Sequence, residues 1–212
     1  AALLFEAEAE LGIKDAAAAL VAINRAKEIA PQHTALLRIE LKARQLIGQW
    51  DEVDRLLDAL ARSNALESGV ALQVRRKAYA ENLKRRAEDD RALLEYWKKI
   101  PADFKADASV ARAAVLAFMQ RGGHDTALDV LQSALNRAWH EDLVALYGDV
   151  RGSSPTRQIE QAEKWLHAQP RDAQLLLTLA QLCSVQQLWG KAQSYLEASL
   201  AIAPSVEGHI RM

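Results

Sequence analysis

Five histidines, His33, His124, His140, His167 and His209, are the side chains best suited to hold a metal or move a proton near neutral pH. Their spacing assigns them neither task. No two form a His-x-x-x-His pair, and no Cys-x-x-Cys-His segment is present to attach haem covalently. A non-covalent haem would need an axial ligand, which one histidine, Cys183 or Tyr147 would supply. His33 and His124 fall in turns and His140 begins a helix, so each reads first as a surface histidine. The lone cysteine, Cys183, excludes an intrachain disulfide and a Cys-rich zinc site. Beside Leu179 and Leu182 on one helix face, it reads as a small buried hydrophobe. Ser153-Ser154 lie in a loop without a neighbouring His and Asp, and the acids Asp89-Asp90 have no pocket suggested around them. The residues therefore point away from an enzyme and toward no resident metal.

The elements that position these side chains are helices in a repeating order. Ala19, Val53, Ala92, Ala127, Ala162 and Ala192 mark six copies of one small-then-bulky pattern, separated by 34, 39, 35, 35 and 30 residues. A period near 34 is that of tetratricopeptide (TPR) helical hairpins. In the last copy Leu176, Leu179, Ala180 and Cys183 follow the i, i+3, i+4, i+7 spacing of one helix face. Trp189, Ala192, Leu196 and Ser199 mark a second helix, which Pro204 ends. The same frame fits Ala7, Ala19, Ile23, Ala26 and Pro31 upstream, then Leu37, Leu41, Trp50, Val53, Leu57 and Leu60. It recurs at Ala114, Val115, Phe118, Ala127, Leu131 and Ala134. The expectation is an all-α, right-handed superhelix of about six TPR-like hairpins, with about twelve helices and no sheet. The repeats are 1–33, 34–67, 68–106, 107–138, 139–171 and 172–206, forming one array over 1–212, with a further helix starting in 205–212.

Local punctuation refines that frame. Gly12, Gly48 and Gly122-Gly123 sit between paired helices, where a left-handed residue closes the first. Asp172, Asp107 and Thr34 suit N-caps. The third copy is stretched, with a five-turn helix from Ser68 to Ala87. In the fifth, Pro155 opens a helix that reads as short, because only eight residues separate Ala162 from Pro170, against twelve from Ala192 to Pro204. Trp50 and Trp189 occupy matching places and read as packing residues, as do Trp97, Trp139 and Trp165.

Arrays of this kind hold partners along the concave wall lined by the first helix of each hairpin. The wall positions are Arg38, Lys42 and Gln45, then Lys77, Glu81 and Lys84, then Arg112 and Gln181. Arg38, Lys42, Lys77, Lys84 and Arg112 would make a basic stripe for a peptide carboxylate or porphyrin propionates. Solvation of helix faces by long charged side chains is the plainer reading. Arg75-Arg76-Lys77 and Lys84-Arg85-Arg86 would meet anionic lipid, or would simply pair with acids at i, i+4, as Glu81 would with Arg85.

Composition sets the bounds. Half of the 212 residues are apolar, enough for a large core. With 27 basic and 28 acidic residues the net charge is −1, against the basic excess of a nucleic-acid binder. No run reaches the ~18 apolar residues of a membrane span, and no signal peptide is visible. Ala1 lies inside a helical pattern and the last residues begin another, so the chain reads as a piece trimmed from a longer protein.

Three segments resemble a family. They are Ile159-Glu160-Gln161-Ala162-Glu163-Lys164-Trp165-Leu166, the run Leu175 to Cys183, and Leu188-Trp189-Gly190-Lys191-Ala192-Gln193-Ser194-Tyr195-Leu196-Glu197-Ala198-Ser199-Leu200. With Leu146-Tyr147-Gly148 and Leu3-Leu4-Phe5-Glu6-Ala7, they are similar to the HemY family of proteobacteria, TPR proteins of the inner membrane associated with protohaem synthesis. The resemblance is strong after Trp139 and weaker before it. It implies an N-terminal membrane hairpin ahead of this chain and an array on the cytoplasmic face. It also implies a non-catalytic scaffold for haem-synthesis proteins in porphyrin metabolism. Two alternatives stay open: a haem or porphyrin carrier, and a peptide-binding assembly factor unrelated to haem. A bacterial protoporphyrinogen oxidase shares the HemY name, but its flavin-binding Gly-x-Gly-x-x-Gly is absent here.

Overall fold

Ala-rich and Leu-rich segments with polar breaks favour helix throughout, and helix is what forms. The computed structural model describes residues 2–31, 33–63 and 68–203. Pro204, His209 and the further helix expected in 205–212 lie outside the described residues. Thirteen helices and no strand occur among the described residues: α1 (Ala2–Gly12), α2 (Ala16–Ile29), α3 (Thr34–Leu46), α4 (Trp50–Arg62), α5 (Ser68–Arg85), α6 (Asp90–Lys99), α7 (Ala102–Lys105), α8 (Ala108–Gln120), α9 (His124–Arg137), α10 (Glu141–Asp149), α11 (Pro155–Ala168), α12 (Ala173–Val185) and α13 (Trp189–Ile202). The thirteenth beyond the expected twelve is α7, one turn after Pro101, which has a fixed φ of −59°.

The chain divides into two compact units, Ala1–Asn82 and Leu83–Met212, with the division inside α5. In the first unit α1 packs on α2 and α3, α2 on α3, and α3 on α4. Ala7, Ala22, Ile23, Leu36 and Ile39 form one core cluster; Leu37, Trp50, Val53, Leu57, Leu60 and Ala78 form a second. In the second unit α8 packs on α9 and α10, α9 on α10, α10 and α11 on α12, and α12 on α13. Every packed pair named here joins helices that are neighbours in sequence or one helix apart. The seam residues Ala19, Val53, Ala127 and Ala162 are fully buried, and Ala192 nearly so. Ala92 is only half-buried, and its neighbour Leu93 takes the core position in the stretched copy.

Four interhelix turns share one backbone geometry. Lys14 (φ 63°), Gly48 (φ 69°), Gly122 (φ 73°) and Gln187 (φ 58°) are left-handed. In each turn the following N–H returns to a carbonyl five residues back: Asp15 to Glu10, Gln49 to Arg44, Gly123 to Phe118 and Leu188 to Cys183, all at 2.9 Å. The left-handed residue's own N–H donates to Leu11, Gln45, Met119 or Ser184, at 2.9–3.3 Å. This pair of bonds is the Schellman closure of a helix. Each left-handed residue stands five places before its seam residue Ala19, Val53, Ala127 or Ala192. Gly12 is not among them: it is the last residue of α1, and Lys14 makes the turn.

Capping follows the aspartates. Asp15, Asp89, Asp107 and Asp172 accept N–H bonds at the starts of α2, α6, α8 and α12. Thr34 is not a cap; α3 begins with it, after His33, whose side chain makes no capping bond. The helix after Pro155 is not short either. α11 has 14 residues, as many as α13, because it starts seven residues before Ala162 whereas α13 starts three before Ala192. The short member of that hairpin is α10, with 9 residues.

Asp172 also holds an indole. Its Oδ1 accepts the Leu175 N–H at 2.8 Å and its Oδ2 accepts Trp139 Nε1–H at 2.6 Å. Asp172→Ala is expected to lower stability by about 2 kcal/mol, summing a lost cap and an orphaned indole donor. Asp172→Asn, which keeps an accepting oxygen for the cap, is expected to lose less than half of that. Urea unfolding followed by circular dichroism measures both.

Candidate functional site

The wall residues divide between the two units. In the first, Arg38 and Lys42 stand one turn apart on the exposed side of α3, opposite buried Leu36 and Glu40, with half-buried Gln45 a further turn along. Neither Arg38 nor Lys42 has an ion-pair partner among the described residues. Buried Glu40 on the same helix is paired elsewhere, to Lys27 at 2.6 Å and Arg44 at 3.3 Å. Lys77, on α5, is exposed but engaged: its Nζ lies 5.4 Å from the centre of the Trp50 ring. Glu81 follows it on α5, half-buried. In the second unit Lys84 lies in the last turn of α5 and Arg112 on α8, both exposed. Gln181 on α12 is half-buried and donates to the Gly148 carbonyl at 3.1 Å and Asp149 Oδ1 at 2.9 Å. Arg38, Lys42 and Gln45 are thus gathered along one edge.

The neighbouring basic residues are mostly spoken for. Arg75 bonds Asp58 at 2.7 Å and Asp54 at 3.2 Å. Burial raises the Asp54 carboxyl above the ordinary range, against the opposing pull of Arg75. Arg86 stacks 4.1 Å from the Tyr96 ring. Asp89 caps α6 and Asp90 binds Arg121 at 2.7 Å, so this acid pair holds helices in place.

Of the nucleophile and ligand candidates, Cys183 is fully buried and burial pushes its thiol up. Tyr147 is fully buried too. Its hydroxyl donates to the Gln158 carbonyl at 3.3 Å and accepts from Gln132 at 3.4 Å, and burial pushes it up to about 12. His33, His140 and His167 are exposed. Among the described residues no three His, Cys, Asp or Glu side chains gather as a metal site. No described helix is long and apolar enough to cross a membrane. Asp125 Oδ1 accepts the Ser153 N–H at 2.8 Å, which lowers the Asp125 carboxyl. The aspartate meets the serine directly and His124 Nδ1 is buried without a hydrogen-bond partner. A serine–histidine–aspartate relay needs the opposite order.

Two grooves of the second unit escaped the sequence. One, of about 520 Å³, separates Asp125, Asp129 and Gln132 on α9 from Arg157, Gln161 and Lys164 on α11. Its residues recur at helical spacing and read as ordinary solvated faces. The other, of about 670 Å³, lies between α12 and α13, and Trp189 lines it. Trp189 is 64% exposed, which corrects its assignment as packing; Trp50 at 8% and Trp165 at 7% do pack. Trp97 and Trp139 are half-buried, edge-on to Phe118 and Trp165.

Beside the second groove, Glu163 accepts from Lys191 at 3.0 Å and from the Tyr195 hydroxyl at 2.9 Å. The Lys191 bond is the main cause of a Glu163 carboxyl held below its ordinary 4.5. Burial first, and the Glu163 bond second, push Tyr195 up to about 12. A depressed folded pKa adds stability above the unfolded value, and that stability is lost as pH falls through the folded one. Wild type is therefore expected to exceed Glu163→Gln in stability at pH 7 and to converge with it as pH drops below 4.5. Thermal melts across pH 3–7 check this.

Compared with protein-family models and with curated proteins, the sequence matches none.

Proposed function

We propose that this chain is part of a non-catalytic, TPR-type scaffold that holds protein partners, and that its parent gathers haem-synthesis proteins at the bacterial inner membrane. The carrying observation is the fourfold Schellman turn, set five residues before a buried seam residue. In this reading α1–α2, α3–α4, α8–α9 and α12–α13 are copies of one hairpin, and the first two turns, at Lys14 and Gly48, stand 34 residues apart, the TPR period. The α5–α6 and α10–α11 joints have no left-handed residue, which fits a distorted third and fifth copy. A right-handed superhelix built from such hairpins is part of the same proposal. The haem assignment rests on the resemblance of the Leu188 to Leu200 segment and its companions to HemY proteins, since fold alone assigns no function.

The partner edge in this reading is Arg38, Lys42 and Gln45 on α3, a planar guanidinium and an ammonium one turn apart that suit an acidic peptide. Affinity capture with the full-length protein is expected to enrich late haem-synthesis enzymes, and Arg38→Glu with Lys42→Glu to reduce that enrichment about tenfold. Capture without any haem-synthesis enzyme rejects the haem role. A shifted Soret band on haem titration, abolished by one His, Cys or Tyr substitution, would instead make the protein a haem carrier.

A further inference from the structure

Where α5 meets α4, two carboxylates compete for one guanidinium. Asp51, Asp54 and Asp58 recur at three- and four-residue spacing, so α4 carries them along one face. Arg75 of α5 pairs with two of them, Asp58 at 2.7 Å and Asp54 at 3.2 Å. Its hydrogen bonds bypass Asp54: Nη2 donates to Asp58 Oδ1, and the Tyr79 hydroxyl accepts from the same guanidinium. Asp54 Oδ1 is buried without a hydrogen bond and meets Arg75 by charge alone. The Asp54 side chain is 29% exposed against 63% for Asp58, so water serves Asp58 far better. α5 reaches the core cluster of Val53, Leu57 and Leu60 through small residues, Ala78 with Ala71 and Val74 at its margin, and Lys77 lies over the Trp50 ring. Small side chains bury little apolar area, so an underserved charge weighs heavily in this joint.

We infer that the α4–α5 joint is an acid-tightened clasp: α5 sits loosely while Asp54 is charged and closes on α4 when Asp54 takes up a proton. Taking a carboxylate out of water costs more than one ion pair returns unless hydrogen bonds complete the exchange. At Asp54 burial outweighs the pull of Arg75, and the like charges of Asp58 and Asp51 add to it, so the carboxyl stands above its ordinary 3.8. Tyr79, pushed up by its own burial, stays a neutral phenol throughout. Among the described residues α3, also packed on α4, adds no charge to this balance. Docked α5 therefore holds the Asp54 proton more firmly than undocked α5 does. The docking gain is complete below 3.8 and is lost as pH rises through the docked value. Protonation does not strand Arg75, which keeps Asp58 and Tyr79. The clasp requires neither the scaffold reading nor haem.

Amide hydrogen exchange over residues 71–82 of the full chain, normalised to intrinsic rates, reads the clasp directly. Asp54→Asn is expected to slow that exchange about threefold at pH 7, the factor that half a unit of pKa displacement carries. Wild type is expected to approach the variant as pH falls toward 4.5. Arg75→Gln removes the cation that opposes Asp54, so it is expected to speed exchange at pH 7 and to steepen the pH dependence. Adding Asp54→Asn to it is expected to flatten that dependence again. Carbon-13 titration of the Asp54 carboxyl in wild type needs no variant, and its midpoint is expected above 3.8. A midpoint at or below 3.8 overturns the clasp. So does exchange at pH 7 that Asp54→Asn speeds or leaves unchanged, or a gap between wild type and variant that acid does not narrow.

Discussion

Trp50→Ala is expected to lower the stability of its unit by about 4 kcal/mol, whereas Trp189→Ala, at the matching position, is expected to change stability by under about 1 kcal/mol. The two substitutions delete the same atoms from the same turn of the same kind of hairpin. Trp50 is enclosed by Leu37, Leu41, Val53, Leu57 and Ala78, so its removal leaves a cavity and strips Lys77 of its ring. Trp189 is mostly in water already, so its removal exposes little more. Urea titrations of the two variants against wild type give the comparison. Equal losses would mean that Trp189 is covered in solution.

Tyr147 carries the second large effect. Among the described residues it is the largest fully buried side chain, and its ring meets Trp165 edge-on at 4.8 Å. Gln158 turns back to it, donating from Nε2 to the Tyr147 carbonyl at 2.7 Å and the Val150 carbonyl at 3.0 Å. These bonds bind α10 to α11 where the connecting loop offers no Schellman turn. Tyr147→Ala is expected to cost about 4 kcal/mol through cavity and lost aromatic contact. Tyr147→Phe keeps the ring and the backbone bonds, and loses only hydroxyl bonds of 3.3 and 3.4 Å, so about 1 kcal/mol is expected. Chemical denaturation of both variants separates packing from hydrogen bonding. A Phe variant as damaged as the Ala variant would show that the hydroxyl, not the ring, joins the helices.

The buried skeleton was legible because it follows from steric need. A seam between close helices admits only a small or β-branched side chain, so Ala19, Val53, Ala127, Ala162 and Ala192 announce themselves by type and period. Asp107 and Asp172 announce caps because a carboxylate before an apolar run has few other local uses. Lys14 and Gln187 gave no such signal. Their left-handed conformation is imposed by the helices they join, and nothing in a lysine or glutamine side chain encodes it. The extent of α11 was hidden because prolines mark where a helix stops and the seam marks its middle, while α11 gains its length on the far side. Trp189 differs for a related reason: burial at this place depends on a helix outside the tryptophan's own hairpin, as α5 is for Trp50. The basic wall was legible only as a set of candidates. Whether a lysine on a helix face meets solvent or a tryptophan, as Lys77 does, depends on a neighbour outside its own period.

Lys42 offers the most direct test of the claim that this chain is a protein-holding scaffold of haem synthesis, being exposed on α3 without an ion-pair partner among the described residues. A photo-crosslinking amino acid placed there in the full-length protein, and irradiated in living cells, is predicted to yield an adduct whose second chain is a late haem-synthesis enzyme. No adduct, or adducts only with proteins outside haem synthesis, would contradict the account.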